Sequence, residues 1–254
     1  MSTESRCVLS ALACSCAATL LLAVGLPKHA QAIEIRSASF ESTLNEGSDF
    51  GWRVDSPFTV TRTSEAGGAD GDYAAKIVTN GGSSGCSCPR MTFQDGFSYG
   101  SGDEFWMSGS WYLPDPDKVY WSRLMNLGHF EASGDPDNWV LGLFREDFEP
   151  DAVKLVARSY DGDTGRSDLT PAIPIPTAQW FTITVHAKLS PTDGQALTEV
   201  YKDWELVSTS TQRNMWQNSP LHFYNAGLSY FWNGNGDTSV YFDRPLLGYV
   251  GKRD

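Results

Sequence analysis

The chain has 254 residues and a formal net charge of −12. Such an acidic balance argues against nonspecific binding to nucleic acid or to anionic membranes, which needs a basic surface. It leaves room for an acidic sugar as ligand, because a local basic cleft can lie within an acidic surface. The length fits a single all-β domain that follows a short leader.

The first predicted element is a signal peptide over residues 1–32. Arg6 supplies a positive start, an apolar run covers residues 8–26, and residues 30–32 read Ala-Gln-Ala, the small-x-small pattern of a cleavage site. A membrane anchor is the alternative, since the apolar run is long enough to span a bilayer. The cleavage pattern directly after the run favours a signal. We therefore expect a secreted or periplasmic protein that begins at Ile33 and has no membrane contact after cleavage.

The cysteines are divided between the signal and the mature chain. Three of them leave with the signal, and Cys86 and Cys88 remain. Export implies an oxidising compartment. Two residues two apart on a strand lie on the same face, so a disulfide between them is strained, and both the paired and the reduced states stay open.

The rest of the chain has the pattern of short strands joined by turns. Clusters of Gly, Asn, Asp and Ser interrupt it at short intervals, and the segments between them alternate apolar with polar residues. In chain order the predicted strands are 73–79, 91–93, 104–112, 123–131, 139–144, 153–159, 181–189, 197–202, 221–230 and 239–248. About ten strands exceed what one open sheet comfortably holds. We predict an all-β fold over residues 33–254, a single two-sheet antiparallel β-sandwich.

Five segments carry a family resemblance in their order and spacing. They are residues 71–77 (GDYAAKI), 105–114 (FWMSGSWYLP), 179–190 (QWFTITVHAKLS), 223–228 (FYNAGL) and 240–243 (VYFD). Together they resemble the concanavalin A-like polysaccharide lyases of the heparin-lyase-I-like and alginate-lyase-like group. The resemblance implies a jelly roll whose concave face holds an extended sugar chain. It also implies cleavage of an acidic, uronate-containing polysaccharide by β-elimination, with no required cofactor.

β-Elimination at a uronate needs three chemical groups. One neutralises the carboxylate so that the C5 proton becomes more acidic, a base removes that proton, and an acid protonates the leaving oxygen. The resemblance points to Arg90 for the carboxylate, which a guanidinium can bind as a fork. It points to His129, together with Tyr224 or Tyr230, for the proton transfers.

The sequence departs from the family pattern at four positions. Thr92 replaces an acidic residue, Leu127 replaces a Gln, Ser229 replaces the catalytic Tyr, and Asn225 replaces a Lys. Asn126 is the nearby amide that could take over from the Gln. These losses favour the alternative, a non-catalytic carbohydrate-binding or adhesion domain of the same fold.

Strand alternation limits how the candidate residues combine. Asn126 and His129 fall on opposite faces of one strand unless a bulge intervenes, and Tyr230 differs in face from Ser229 for the same reason. His186 and Lys188 lie on the polar face of the 181–189 strand, which is either a cleft or a solvated surface.

Two further features bear on ligands. Sugar rings stack on exposed aromatic faces, and Trp232, in a Gly- and Asn-rich segment, is the tryptophan expected to be exposed. Residues 161–165 (DGDTG), with Asp168 further on, resemble a short calcium loop, and residues 70–72 (DGD) do so more weakly. A structural calcium is therefore a candidate, and a plain hairpin turn is the alternative.

A jelly-roll glycosidase needs two carboxylates on one face of a strand. Glu146 and Glu149 would take opposite faces, which argues against that activity.

Overall fold

The computed structural model describes residues 33–45, 51–53, 59–79, 84–85, 90–93, 99–115, 121–128, 139–145, 153–161, 165–215, 223–232 and 238–250. The strands, in chain order, are β1 (Ile33–Ser37), β2 (Gly51–Arg53), β3 (Thr59–Thr63), β4 (Ala74–Thr79), β5 (Ser84–Gly85), β6 (Arg90–Phe93), β7 (Glu104–Tyr112), β8 (Trp121–Gly128), β9 (Trp139–Arg145), β10 (Val153–Asp161), β11 (Gly165–Asp168), β12 (Ile173–Pro174), β13 (Trp180–Lys188), β14 (Leu197–Lys202), β15 (Glu205–Ser210), β16 (Phe223–Trp232) and β17 (Thr238–Val250). Within these ranges no helix has the length and hydrophobicity that crossing a bilayer requires. The predicted signal and the Cys86–Cys88 pair lie outside them and stay predictions.

The strands form two antiparallel sheets, which confirms the predicted fold class. Sheet A has the order β15-β14-β13-β7-β17-β4-β3, and β1 also pairs with β17. Sheet B has the order β11-β10-β9-β8-β16-β6-β2, and β12 and β5 pair with β10 and β16. Neighbours that are distant in sequence, such as β7 beside β17, are typical of a jelly roll.

Each sheet buries one face and leaves the other outside the core. On β13, Phe181, Ile183, Val185 and Ala187 are buried in the core, as the alternation predicts. Sheet B contributes a matching set of buried apolar residues: Met91, Met125, Leu155, Ala157, Ala226 and Leu228. The face of each sheet that alternates with these residues is called its outer face.

Trp111 of β7 links the two sheets at the centre of the core. Its side chain is fully buried, and its indole Nε1 donates a hydrogen bond to the carbonyl oxygen of Gly227 at 3.0 Å. Its ring lies 5.2 Å from that of Phe242. A Cβ on Gly109 would stand 2.5 Å from Trp111 Cη2, so only glycine leaves room for the indole.

Two carboxylates hold the segment between β3 and β4. Asp243 is buried; its Oδ2 accepts from the amide of Ala69 and its Oδ1 from the amide of Arg244, both at 2.8 Å. Glu41 Oε1 accepts from the amide of Tyr73 at 3.1 Å. Burial raises the pKa of Asp243 to about 6, although both amide hydrogen bonds oppose that rise.

The turn between β14 and β15 has a left-handed backbone at both of its central residues. Asp203 has φ 50° and Trp204 has φ 72°, a conformation that a bulky side chain disfavours. Asp203 is fixed to β13, since its amide donates to Thr182 O at 2.9 Å and its Oδ1 accepts from the Thr182 amide at 2.8 Å. Trp204 is 72% exposed at the tip.

Candidate active site on sheet B

The strands that carry most of the predicted site residues are distant in sequence but adjacent in sheet B. β16 lies between β8 and β6. These strands contain Arg90 on β6, Asn126 on β8, and Tyr224, Asn225, Tyr230 and Trp232 on β16. The sheet order therefore gathers three segments that the chain separates widely.

The pairing register places two amide residues opposite each other. Asn225 pairs with Asn126 on one side and with Thr92 on the other. The next row across the same strands is buried in the core; its members are Met91, Ala226 and Met125. Because successive residues of a strand alternate between faces, the row of Asn126, Asn225 and Thr92 belongs to the outer face of sheet B. Arg90, two residues before Thr92, belongs to the same face.

β16 is irregular beyond this row. Its register with β8 shifts between Ala226 and Ser229, and again between Ser229 and Trp232. Gly227 has φ 119°, a backbone conformation that is strained for any residue with a side chain. Tyr230 falls within the second shift, so the strand contains an irregularity of the kind that can move a residue to the other face.

The other sheet B candidates take different positions. Tyr224 pairs with Leu127 and Phe93, one residue away from the Asn225 row. Strand alternation therefore puts it on the core-facing side with Ala226 and not beside Arg90, which corrects its prediction as a site residue. Trp232 is the last residue of β16 and pairs with Trp121, so its strand extends further than the sequence predicts. His129 lies outside the described residues, directly after the end of β8 at Gly128, and its role stays a prediction.

His186 and Lys188 lie on the outer face of sheet A, so they do not join the residues of sheet B. His186 is buried, with its Nδ1 2.8 Å from Glu199 Oε2 and its Nε2 2.6 Å from Glu104 Oε1. Its ring stacks on that of Trp106 at 4.0 Å. Both ring nitrogens are thus occupied by carboxylates of β7 and β14, and the side chain joins three adjacent strands.

The candidate calcium ligands Asp168 and Asp70 form ion pairs with arginine side chains. Residues 161–165 connect β10 to β11, and Asp168 forms an ion pair with Arg158. Asp70 forms an ion pair with Arg244, with 2.7 Å between Oδ2 and Nη1. No group of three or more His, Cys, Asp or Glu side chains suited to a metal occurs in the described part of the chain. A structural calcium stays a prediction.

Comparison with known proteins supports the fold. No protein-family model matches the sequence, and no curated protein matches it. The endo-β-1,4-glucuronan lyase from the fungus Trichoderma reesei has a similar structure, with a TM-score of 0.64 and 13% identity over 88% of this chain and 100% of that chain. The marine PL-14 alginate lyase from Aplysia kurodai has a TM-score of 0.50 and 13% identity over 76% and 90% of the two chains.

A protein with a binding role has a similar structure as well. The botulinum neurotoxin serotype G binding domain has a TM-score of 0.51 and 11% identity, covering 83% of this chain and 46% of that one. The chain therefore has the fold of the jelly-roll polysaccharide lyases, as its sequence resemblance predicts. That fold serves both lyases and binding domains.

Proposed function

We propose that the protein is an exported lyase that cleaves a uronate-containing polysaccharide by β-elimination on the outer face of sheet B. The observation that carries the proposal is the adjacency of β6, β16 and β8, which aligns Arg90, Asn225 and Asn126 on one face. The shared fold with a glucuronan lyase over the whole of that chain supports it. Glucuronan is accordingly the first substrate to test.

Each residue has a defined role in the proposed reaction. Arg90 binds the uronate carboxylate, and the amides of Asn126 and Asn225 donate hydrogen bonds beside it. His129 removes the C5 proton, which requires the chain to depart from strand alternation after Gly128, since His129 and Asn126 otherwise take opposite faces. The C4–O bond breaks as the C4–C5 double bond forms, and the leaving oxygen takes a proton from a tyrosine. Tyr230 is the candidate for that acid, because Tyr224 alternates with Asn225 and so takes the core-facing side of β16 with Ala226.

The activity can be tested directly. The secreted protein is incubated with glucuronan, alginate and heparin, and absorbance of the unsaturated uronate product is followed. A rise with at least one substrate is expected. No rise on any of the three would exclude the lyase function for these polymers and favour a binding role.

Two variants separate binding from proton transfer. His129→Ala is expected to lower turnover by about 10²–10⁴-fold with affinity retained, the usual effect of losing a proton-transfer group. Arg90→Ala is expected to lower both turnover and affinity, because it meets the carboxylate in the ground and transition states. Lys188→Ala, on the exposed part of sheet A, is the matched control. Unchanged turnover per folded His129→Ala molecule would remove His129 from the mechanism.

A carbohydrate-binding domain without catalysis is the second candidate. The replacement of family residues at Thr92, Asn225 and Ser229 favours it, as does the similar structure of a toxin binding domain. Calorimetric binding of a polyuronate without any unsaturated product would establish this role.

A further inference from the structure

An open cavity lined by both polar and apolar side chains lies on the outer face of sheet A, on the opposite sheet from the candidate active site. Its volume is about 290 Å³, close to the lower end of the roughly 300–1,000 Å³ of ligand pockets. Its lining includes Glu65, Lys76, Pro114, Asp115, Ser239 and Tyr241. A space of this size accommodates one or two sugar rings.

The charged groups of the cavity form an organised cluster. Lys76 Nζ forms an ion pair with Glu65, and it lies 5.7 Å from the centre of the Tyr241 ring. Tyr241 is buried, which raises the pKa of its hydroxyl, and this hydroxyl is hydrogen-bonded to Glu65 and Lys76, so the three side chains hold one another in place. With Asp115 the lining has two carboxylates and one ammonium group. Carboxylates accept hydrogen bonds from sugar hydroxyls, and they repel the carboxylate of a uronate.

A row of side chains extends from the cavity across four strands. The register aligns Lys76 with Tyr241, Tyr241 with Tyr112, and Tyr112 with Trp180. The row is roughly 14 Å long, because neighbouring strands lie about 4.8 Å apart. The Tyr112 ring lies 5.7 Å from that of Tyr241 and 5.8 Å from that of Trp180.

The far end of this row is an aromatic surface with a fixed geometry. Tyr112 and Trp180 are both only partly buried, so part of each ring meets solvent. Trp180 is held in place because its Nε1 donates to the carbonyl of Ala66 at 3.2 Å. Aromatic rings offer an apolar face to the C–H side of a sugar, next to the hydrogen-bonding groups of the cavity.

We propose that the cavity and the adjoining Tyr112–Trp180 pair form a second glycan site that binds neutral sugar residues. This site is separate from the lyase reaction and does not depend on it. It holds neutral parts of a polysaccharide while the outer face of sheet B remains available to a uronate chain.

Calorimetric titration with cellotetraose and mannotetraose as neutral probes, and with tetraglucuronate as the acidic probe, tests the site. At least one neutral probe is expected to bind, and Glu65→Gln and Lys76→Met are each expected to weaken that binding by about tenfold, the effect of losing a charged hydrogen-bond partner. Trp180→Phe, which keeps an apolar ring but shortens the surface, is expected to weaken it less. Glu205→Gln, an exposed carboxylate on β15, is the matched control and should bind as the wild type does.

Three results would overturn the proposal. They are no heat from either neutral probe at millimolar concentration, affinity that is equal in wild type, Glu65→Gln and Lys76→Met, or binding of tetraglucuronate that competes for the same site with equal strength. Turnover of polyuronates is expected to be unchanged in Glu65→Gln, so failure of the lyase proposal would leave these binding results intact.

Discussion

The substitution Asp243→Asn tests whether one buried carboxylate makes stability depend on pH. Asp243 is 1% exposed on β17, and each of its oxygens accepts one backbone amide hydrogen bond at 2.8 Å. Burial raises its pKa from the ordinary 3.8 to about 6; the two amide bonds and the nearby charge of Arg244 oppose the rise without cancelling it. The folded protein therefore holds this proton more tightly than the unfolded chain does.

The sign of the effect follows from that difference. The contribution of Asp243 to the free energy of unfolding is fully present below the unfolded pKa of 3.8, and it is lost as pH rises through the folded value of about 6. A rise of this size corresponds to about 3 kcal/mol. Asparagine cannot titrate, so the variant lacks this loss.

Urea unfolding at about pH 4, 5, 6 and 7 measures the effect as the stability of wild type minus that of Asp243→Asn. The subtraction removes the carboxylates that titrate in both proteins. We expect the difference to move against the wild type by about 2.5 kcal/mol between about pH 4 and pH 7, somewhat less than the full effect because the unfolded carboxyl is already partly ionised at pH 4. A constant difference, or one that moves in favour of the wild type, would show that burial does not control this group.

Two glycine-related predictions concern backbone and packing. Gly109→Ala should destabilise the fold by about 1–3 kcal/mol, because its Cβ would lie 2.5 Å from the buried Trp111 ring; Gly100→Ala, with no atom within 4 Å, should be near neutral in the same thermal unfolding assay. Equal stability of the two variants would contradict the close packing. Trp204→Gly should stabilise the fold by about 1 kcal/mol, because glycine accepts φ 72° without strain. Gly194→Ala should lower stability, because alanine is strained at the φ of 77° that Gly194 has. If Trp204→Gly lowers stability instead, the contacts of the Trp204 side chain stabilise the fold by more than its backbone strain destabilises it.

The sequence predicts the central strands well because their alternation is local information. The bounds of β7 and β14 agree with the prediction, and β13 differs by one residue at each end. In β13 apolar residues recur at every second position and face a buried core, and β7 has the same pattern with Gly109 in the series; in β14 the core-facing positions are Thr198 and Val200. No knowledge of the neighbouring strand is needed to recognise that pattern.

The strands that the sequence missed have weaker patterns. β3 contains three threonines and one arginine among its five residues, so its apolar signal is a single Val60. β15 has Leu206 and Val207 side by side and both exposed, because an end strand of sheet A has little core to face. Without alternation, period-two analysis cannot separate such strands from loops.

The candidate site depends on information that is not local. The resemblance names Arg90 and Asn126 from separate segments, but only the order β8-β16-β6 shows that they flank the same strand. For His186 the sequence predicts the strand and its polar face, but it does not reveal the two carboxylate partners, which come from β7 and β14. Those contacts explain the histidine without any role in catalysis.

The amide row bears on the choice between a lyase and a binding domain. In the lyases that this chain resembles, the position of Leu127 has a Gln and that of Asn225 has a Lys, so here a positive charge is replaced by the uncharged donor Asn225, with Asn126 opposite it. Binding of a sugar carboxylate on this face then depends more strongly on Arg90, because hydrogen bonds from charged donors are about twice as strong as those from neutral ones. Loss of Arg90 should therefore weaken sugar binding in both functions and cannot distinguish them. Turnover can distinguish them: a lyase has turnover, and His129→Ala should lower it while affinity is kept, whereas a binding domain forms no unsaturated product and keeps its affinity in the same variant.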